Sequence, residues 1–178
     1  MATRLRPLRL EDVPALATVV RASAEHLKPW EPARRPEHFT EVGQRALVTR
    51  LVGTETTVPF VIEAADGELL GRLTLSGVTR GALQSCSVGY WIRADRLRRG
   101  HATRAVRAGL DHAFDVLGLH RVQAETLPEN TASQRVLERA GFTRYGVAPE
   151  YLRIDGVWRD HVMFQALAGP DGRVPSSV

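Results

Sequence analysis

The 178-residue chain contains one cysteine, Cys86, and one lysine, Lys28. A lone cysteine excludes an internal disulfide framework and any metal site built from several thiolates. No apolar run approaches the roughly 20 residues that a membrane-spanning helix needs. The opening MATRLRPLRLEDV lacks the apolar stretch of a signal peptide, so the cytoplasm is the expected compartment. Neither the G-x-x-x-x-G-K-[ST] phosphate loop nor the dinucleotide-binding G-x-G-x-x-G pattern occurs. Internal repeats and low-complexity linkers are also missing, which predicts one domain over residues 1–168 and a polar tail over 169–178, GPDGRVPSSV. With 43% hydrophobic residues, the chain is apolar enough to fold and long enough to close a core without cross-links.

Arginine is what the chain has in excess. Of its 24 basic residues all but Lys28 are arginine, against 20 acids, for a net charge of +4 and a pI near 10.0. GC-rich codon usage accounts for arginine replacing lysine, but not for where the arginines sit. Arg93, Arg96, Arg98, Arg99, Arg104 and Arg107 fall within one window that holds a single acid, Asp95. That window carries +5 of a chain total of +4, so the remainder stands at −1. A nearly neutral protein with one basic loop is expected to hold a polyanion there.

Periodicity predicts the order β-α-α-β-β-β-α-β-α-β-β, a mixed and mostly antiparallel sheet flanked by helices. Arg4–Leu10 reads as a first strand, with Glu11 or Asp12 capping a helix that carries Leu16, Val19, Val20 and Ala24 on one face. A second helix over Phe39–Val52 is expected to bury Phe39, Val42, Ala46 and Leu47. The proline-punctuated loop from Lys28 to Pro36 carries Trp30 and is either a cover over a site or a packing segment. Pro59–Glu63, Leu69–Leu75 and Ser85–Ile92 read as a meander with a turn at Asp66-Gly67. An amphipathic helix follows, with Ala102, Ala105, Val106, Gly109, Leu110, Ala113, Phe114 and Leu117 on its apolar face. After it come a strand through Val122, Ala124 and Thr126, a short helix headed by Asn130, and two strands about Asp155-Gly156.

Two stretches carry chemistry. In the first, the Ile92 strand runs through Arg93-Ala94-Asp95-Arg96-Leu97-Arg98-Arg99-Gly100-His101-Ala102-Thr103 into the long helix. Helix N-termini present unsatisfied N–H groups and a favourable dipole to anions. Gly100 and Ala102 allow close backbone approach, and Arg98 and Arg99 add charge-assisted bonds, so the stretch is built as a diphosphate cradle. An ordinary solvated loop is the competing reading of these residues alone. The second stretch, from Glu125 through Asn130 and Ser133 to Gly141-Phe142, places strand, turn, Asn-headed helix and Gly-Phe in order.

Together the two stretches resemble the GNAT superfamily of acyl-CoA-dependent N-acyltransferases. The family loop Q/R-x-x-G-x-G/A is matched by Leu97-Arg98-Arg99-Gly100-His101-Ala102, with Leu97 departing at the first position. The family helix N-x-x-A-x-x-x-Y-x-x-x-G-F is matched at Asn130, Gly141 and Phe142, while Ser133 and Leu137 stand at its alanine and tyrosine positions. The segment Pro149–Val162 is similar to the ribosomal-protein alanine N-acetyltransferase subfamily. The resemblance runs from about Arg4 to Leu167. It implies an α/β GNAT fold of about seven strands, splayed in the middle to hold acyl-CoA. Acetyl-CoA is the implied co-substrate, contacted by Ile92, Leu97, Arg98, Arg99, Gly100, His101, Ala102, Thr103, Asn130 and Ser133. Glu150 is the implied base, with Glu125 and Asp160 as competitors, and Ser133 is the implied proton donor to the thiolate because Leu137 cannot serve. No metal is implied, and no membrane or direct nucleic-acid partner.

Other readings of the same residues stay open. Ser133 also suits a helix-terminal serine bonded to backbone, and Glu150 a surface carboxylate. Cys86 is expected to pack on its strand, since direct transfer needs no acyl-enzyme. His101 follows the cradle glycine and is a candidate phosphate contact; His112, His120 and His161 show no metal spacing and read as structural. The tyrosines and tryptophans of the strands read as packing residues, some lining an acceptor groove. The acceptor is a protein N-terminal amine, possible on a ribosomal protein, or else a small-molecule amine; the donor is acetyl-CoA or succinyl-CoA. A non-catalytic acyl-CoA-binding module is the remaining class, favoured by the missing tyrosine and by Leu97. Apolar hairpin ends allow a monomer or a homodimer.

Overall fold

Seven strands alternate with five helices in the computed structural model, which describes residues 2–169. The strands are β1 (Thr3–Pro7), β2 (Thr57–Ala64), β3 (Leu69–Thr79), β4 (Ser85–Ile92), β5 (Arg121–Thr126), β6 (Thr143–Ile154) and β7 (Val157–Leu167). They form one sheet in the order β1-β2-β3-β4-β5-β7-β6. All neighbours run antiparallel except β4 and β5, which are parallel and joined through a helix. The helices are α1 (Val13–Ala22), α2 (Ala24–Leu27), α3 (Glu41–Val52), α4 (His101–Asp111) and α5 (Thr131–Ala140). The mixed, mostly antiparallel sheet read from the periodicity is the one that forms. The expected tail beyond Gly169 lies outside the described residues.

Alternation along each strand sends side chains to two cores. On one face Leu73, Leu75, Val88, Val122, Ala124 and Phe164 pack against Ala105, Val106, Leu110 and Phe114 of the α4 segment. On the other, Val61 and Leu69 pack against Leu16, Val20 and Val48 of α1 and α3. The apolar stripe expected of α4 is therefore the one buried, and the helix runs on through a π-helical turn (His112–Val116) to Gly118, whose φ of 63° ends it.

Helix α3 departs from its expected face. Its buried residues are Gln44 and Val48, whereas Val42 is 80% exposed. Thr40 caps it by accepting from the Gly43 N–H at 3.1 Å, and a Cβ on Gly43 would stand 1.9 Å from the Glu37 carbonyl oxygen. The preceding Pro36–Phe39 turn thus presses directly on Gly43 and rotates the helix, a constraint invisible to periodicity. The first strand also ends earlier than expected, at Pro7, and α1 stops at Ala22 rather than running to Ala24.

A buried ionic cluster ties the chain's start to the sheet. Arg6 pairs with Glu63 of β2 at 2.7 Å and with Asp12 at 2.8 Å, and Asp12 accepts the Arg9 N–H at 2.8 Å. Arg4 adds a 3.1 Å contact to Glu63. Burial alone would raise both carboxyls, but hydrogen bonds from Arg6 and Arg4 to Glu63, and from Arg6 and the Arg9 backbone to Asp12, outweigh it and hold both below their ordinary values. Arg6→Ala leaves Glu63 with Arg4 alone and Asp12 with the Arg9 N–H alone, and is expected to cost about 2–3 kcal/mol in urea denaturation near neutral pH. Because both folded values are depressed, this stabilisation is full above the ordinary values of 4.5 and 3.8 and is lost as pH falls through the folded ones. Variant and wild type should therefore converge in acid; a pH-independent gap would point to packing instead.

Candidate active site

Parallel pairing between β4 and β5 is confined to Ser85–Arg121, Cys86–Val122 and Ser87–Gln123. Beyond these the strands part, so Val88–Ile92 on one side and Ala124–Thr126 on the other face a gap. Backbone groups along such a gap need partners from outside the sheet. Side chains there are unsatisfied as well: Glu125 Oε2 and Thr126 Oγ1 are buried without a hydrogen-bond partner among the described residues. Buried orphans on consecutive residues are rare in native folds, and each calls for a partner from outside the chain, whether ordered water or a ligand.

One end of the gap leads to the loop before α4. Arg98 and Gly100 take left-handed φ values of 60° and 75°, which curl the chain so that the α4 N-terminus opens outward. Gly100 occupies the cap position and no side chain caps the helix, leaving its first N–H groups free for an anion. A groove of roughly 530 Å³ continues between α4 and α5, lined by Gly100, Thr103, Arg104, Arg107, Glu138 and Arg139. Arg98 and Arg99 are exposed beside it. The basic window divides, however. Arg93 and Arg96 both bind Glu68 at 2.9 Å and also Asp95, so these two hold the loop to β3 instead of facing the groove. Arg104 bonds Thr3 at 3.0 Å and the Arg99 carbonyl at 2.7 Å, bracing the loop from inside.

Site residues named from sequence meet different fates. Ile92 is buried at the end of β4, and Leu97 is partly exposed in the loop. Ala102 and Thr103 occupy the first turn of α4. The His101 ring does not face the loop: it is buried, with Nδ1 2.8 Å from Thr3 Oγ1, and burial followed by Arg104 and Arg99 lowers its pKa. Only its backbone remains at the helix terminus. Asn130 caps α5, its Oδ1 accepting the Ser133 N–H at 3.1 Å. Leu137 is fully buried in the core, so the helix carries no hydroxyl there. Cys86 is buried too, its thiol pushed up to about 12 by burial, which suits packing and not nucleophilic chemistry.

Tyr90 was missed as a site residue. Its hydroxyl lies 2.9 Å from Ser133 Oγ, bridging β4 to α5 across the gap. Burial raises the Tyr90 pKa, opposed by the Ser133 bond, so the phenol stays protonated at neutral pH. Register alone places Tyr90 on the α4 side of β4, with Val88 and Ile92; only the fold brings α5 over it.

The three carboxylates differ sharply. Glu125 faces away from α4, opposite Met163 of β7, and burial raises its pKa. Tyr151 stands nearby, its own pKa raised by burial and then by the Glu125 charge. Glu150 is exposed in a bulge where the β6–β7 register slips between Ala148 and Leu152, and its φ of 46° is strained for a non-glycine. Asp160 accepts the Glu150 N–H at 2.9 Å and so props that bulge. The bulge on β6 is one strand removed from β5, with β7 between them, and the Glu125 charge reaches across to Tyr151, the residue after Glu150.

Known proteins carry the same architecture. Residues 3–143 match the acetyltransferase (GNAT) domain family, and the chain belongs to it. A probable N-acetyltransferase, YjcK, of Bacillus subtilis (strain 168) is 34% identical over 171 residues, covering 94% of each chain. A [ribosomal protein uS5]-alanine N-acetyltransferase of Escherichia coli (strain K12) is 32% identical over 164 residues, covering 90% of this chain and 84% of that one. The solved structure of Mycobacterium smegmatis RimJ in complex with CoA-disulfide superposes with a TM-score of 0.89 at 39% identity, covering 93% of this chain and 82% of that one.

The unpaired Glu125 has a measurable consequence. A carboxyl whose folded pKa is raised penalises the folded state above its ordinary value of 4.5, and the penalty disappears as pH falls to that value. Glu125→Gln is expected to raise the melting temperature at about pH 7.5, with the gain shrinking to nothing near pH 4.5. A loss of stability at the higher pH would mean that Glu125 is held by a partner after all.

Proposed function

We propose that the protein transfers an acetyl group from acetyl-CoA to a primary amine, with a protein N-terminal α-amino group as acceptor. The observation that carries this reading is the gap between β4 and β5, lined by unsatisfied polar groups and flanked by an uncapped helix N-terminus. The uS5-alanine N-acetyltransferase of E. coli and the CoA-bound RimJ of M. smegmatis support the acceptor and the donor respectively, through identities of 32% and 39%. In this reading acetyl-CoA, when bound, supplies a thioester whose cleavage drives amide formation.

The chain's own groups divide the work. Arg98, Arg99 and the N–H groups of the first turn of α4 hold the diphosphate, with the Arg104–Arg107 groove beside them. The free backbone edge of β4 near Ile92, with Asn130 opposite, aligns the pantetheine arm, and an N–H of that edge polarises the thioester carbonyl. An α-amino group titrates near 7.7–8.0, so a carboxylate acting through water is base enough to take its proton. Glu150 holds that position, fixed by the strained bulge that Asp160 props. The new C–N bond forms as the C–S bond breaks, and the sulfur receives a proton from Ser133, with Tyr90 behind it as the next donor. A second reading gives the base role to Glu125, favoured by its burial and its unpaired Oε2.

Thiol release with acetyl-CoA and a panel of N-terminal peptides and small amines tests the proposal. Ser133→Ala and Glu150→Gln are each expected to lower kcat about 100-fold or more while acetyl-CoA binding persists. If Glu125→Gln does this and Glu150→Gln does not, the base is Glu125. Silence across all acceptors, or full activity of both variants, would overturn the reading.

A further inference from the structure

A second cavity, roughly 250 Å³, opens on the sheet face opposite α4. Because Leu73 and Leu75 point into the α4 core, the alternation of β3 turns Arg72 and Thr74 to this other face. Arg72 pairs in register with Trp91 and Thr74 with Gly89, so four residues of β3 and β4 make the floor. The proline-punctuated segment supplies the cover through Trp30, Glu31 and Arg34, and is therefore a roof and not mere packing.

Arg72 is the unusual member. Its side chain lines the cavity and is partly shielded from solvent, yet it forms no hydrogen bond or ion pair among the described residues. The nearest acid, Glu31, is committed to Arg34 at 2.8 Å. Burial lowers the Arg72 pKa to about 10, with Arg34 and Arg50 adding repulsion that Glu31 only partly offsets. A partly buried cation that faces a cavity without a partner is suited to receive an anion from outside. Among the lining residues, two arginines against one glutamate leave a single positive charge, which matches a carboxylate better than a dianionic phosphate. Gly89 leaves open space where a side chain would stand, and Gly89 and Tyr90, on the stretch of β4 that no longer pairs with β5, both line the cavity. The cavity therefore adjoins the β4–β5 gap.

We propose that this cavity is the acceptor's anion subsite, in which Arg72 binds a carboxylate carried a few bonds from the reacting amine. The inference rests on the acyl-transfer reading above and narrows its acceptors to acidic ones. The carboxylate comes from an Asp or Glu side chain close to a peptide N-terminus, or from the α-carboxylate of a free amino acid. A planar guanidinium meets it with two parallel N–H bonds, and the tryptophans at the walls exclude water.

Matched peptides carrying Glu, Gln or Lys at the second and third positions, together with free amino acids, separate the outcomes. Wild-type kcat/KM is expected to favour the Glu peptide over the Gln peptide by about 10- to 100-fold, with the Lys peptide poorest. Arg72→Gln should collapse that ratio toward unity, and Arg72→Lys should restore part of it. Without acceptor, Arg72→Gln should melt no lower than wild type, because a partly buried charge without a partner has been removed; a lower melting temperature would mark Arg72 as a structural cation and overturn the proposal. Preference for free amino acids over acidic peptides supports the subsite and assigns its carboxylate to the α-position. Equal acetylation of Glu and Gln peptides overturns the subsite while leaving acyl transfer intact. Should no acceptor be acetylated, the transfer reading fails, and quenching of tryptophan fluorescence by the Glu peptide but not the Gln peptide still decides the subsite.

Discussion

Hydrogen bonding between β4 and β5 ends after three residue pairs, and the site follows from that interruption. A continuous parallel pair would satisfy every backbone group between the strands and leave nothing for a ligand to bind. Parting them exposes one edge of β4, orphans Glu125 and Thr126, and lets α5 lean across until Ser133 meets Tyr90. The cost is borne by the two cores on either face, which hold both strands firmly up to the point of separation. Gly71 contributes to the same geometry: a Cβ there would lie 2.0 Å from the Trp91 carbonyl oxygen, so only glycine lets the end of β4 bend in against β3.

Charge is organised in four separate groups. Arg4 and Arg6 neutralise Glu63 and Asp12 and fasten the first strand. Arg93 and Arg96 neutralise Glu68 and Asp95 and fasten the loop before α4. Arg98 and Arg99 remain at the uncapped helix terminus, and Arg72 remains on the opposite face. Arginine suits all four because its planar fork pairs two oxygens at once and keeps its charge when enclosed. A basic pI thus conceals a division between arginines that build the scaffold and arginines left over for ligands.

Much of this was legible in the amino-acid order. Strand alternation and the α4 stripe were read correctly because burial on one face imposes a period that the sequence must display. The Asn130 cap, the Gly141 stop and the Asp155-Gly156 turn were legible because each depends on local backbone geometry. Helix α3 was misjudged because the Pro36–Phe39 turn, pressing on Gly43, sets its rotation. The arginine window was judged as one cluster because no linear pattern reveals that Glu68, in the turn before β3, neutralises two of its members. Tyr90 looked like any strand aromatic until α5 was placed over it.

The sequence by itself determined the elements, their order, and a cradle of glycine and arginine at the head of a helix, since these follow from local propensities and short spacings. The resemblance to the GNAT family added the expectation that an Asn-headed helix stands beside that cradle. Only the tertiary structure decided that His101 turns inward and that, among the described residues, Glu125 is buried without a partner and Arg72 shares a cavity with Trp30 without a counter-ion. Burial and pairing are properties of residues far apart in the chain. They come into being only when the sheet brings those residues together and excludes water from between them.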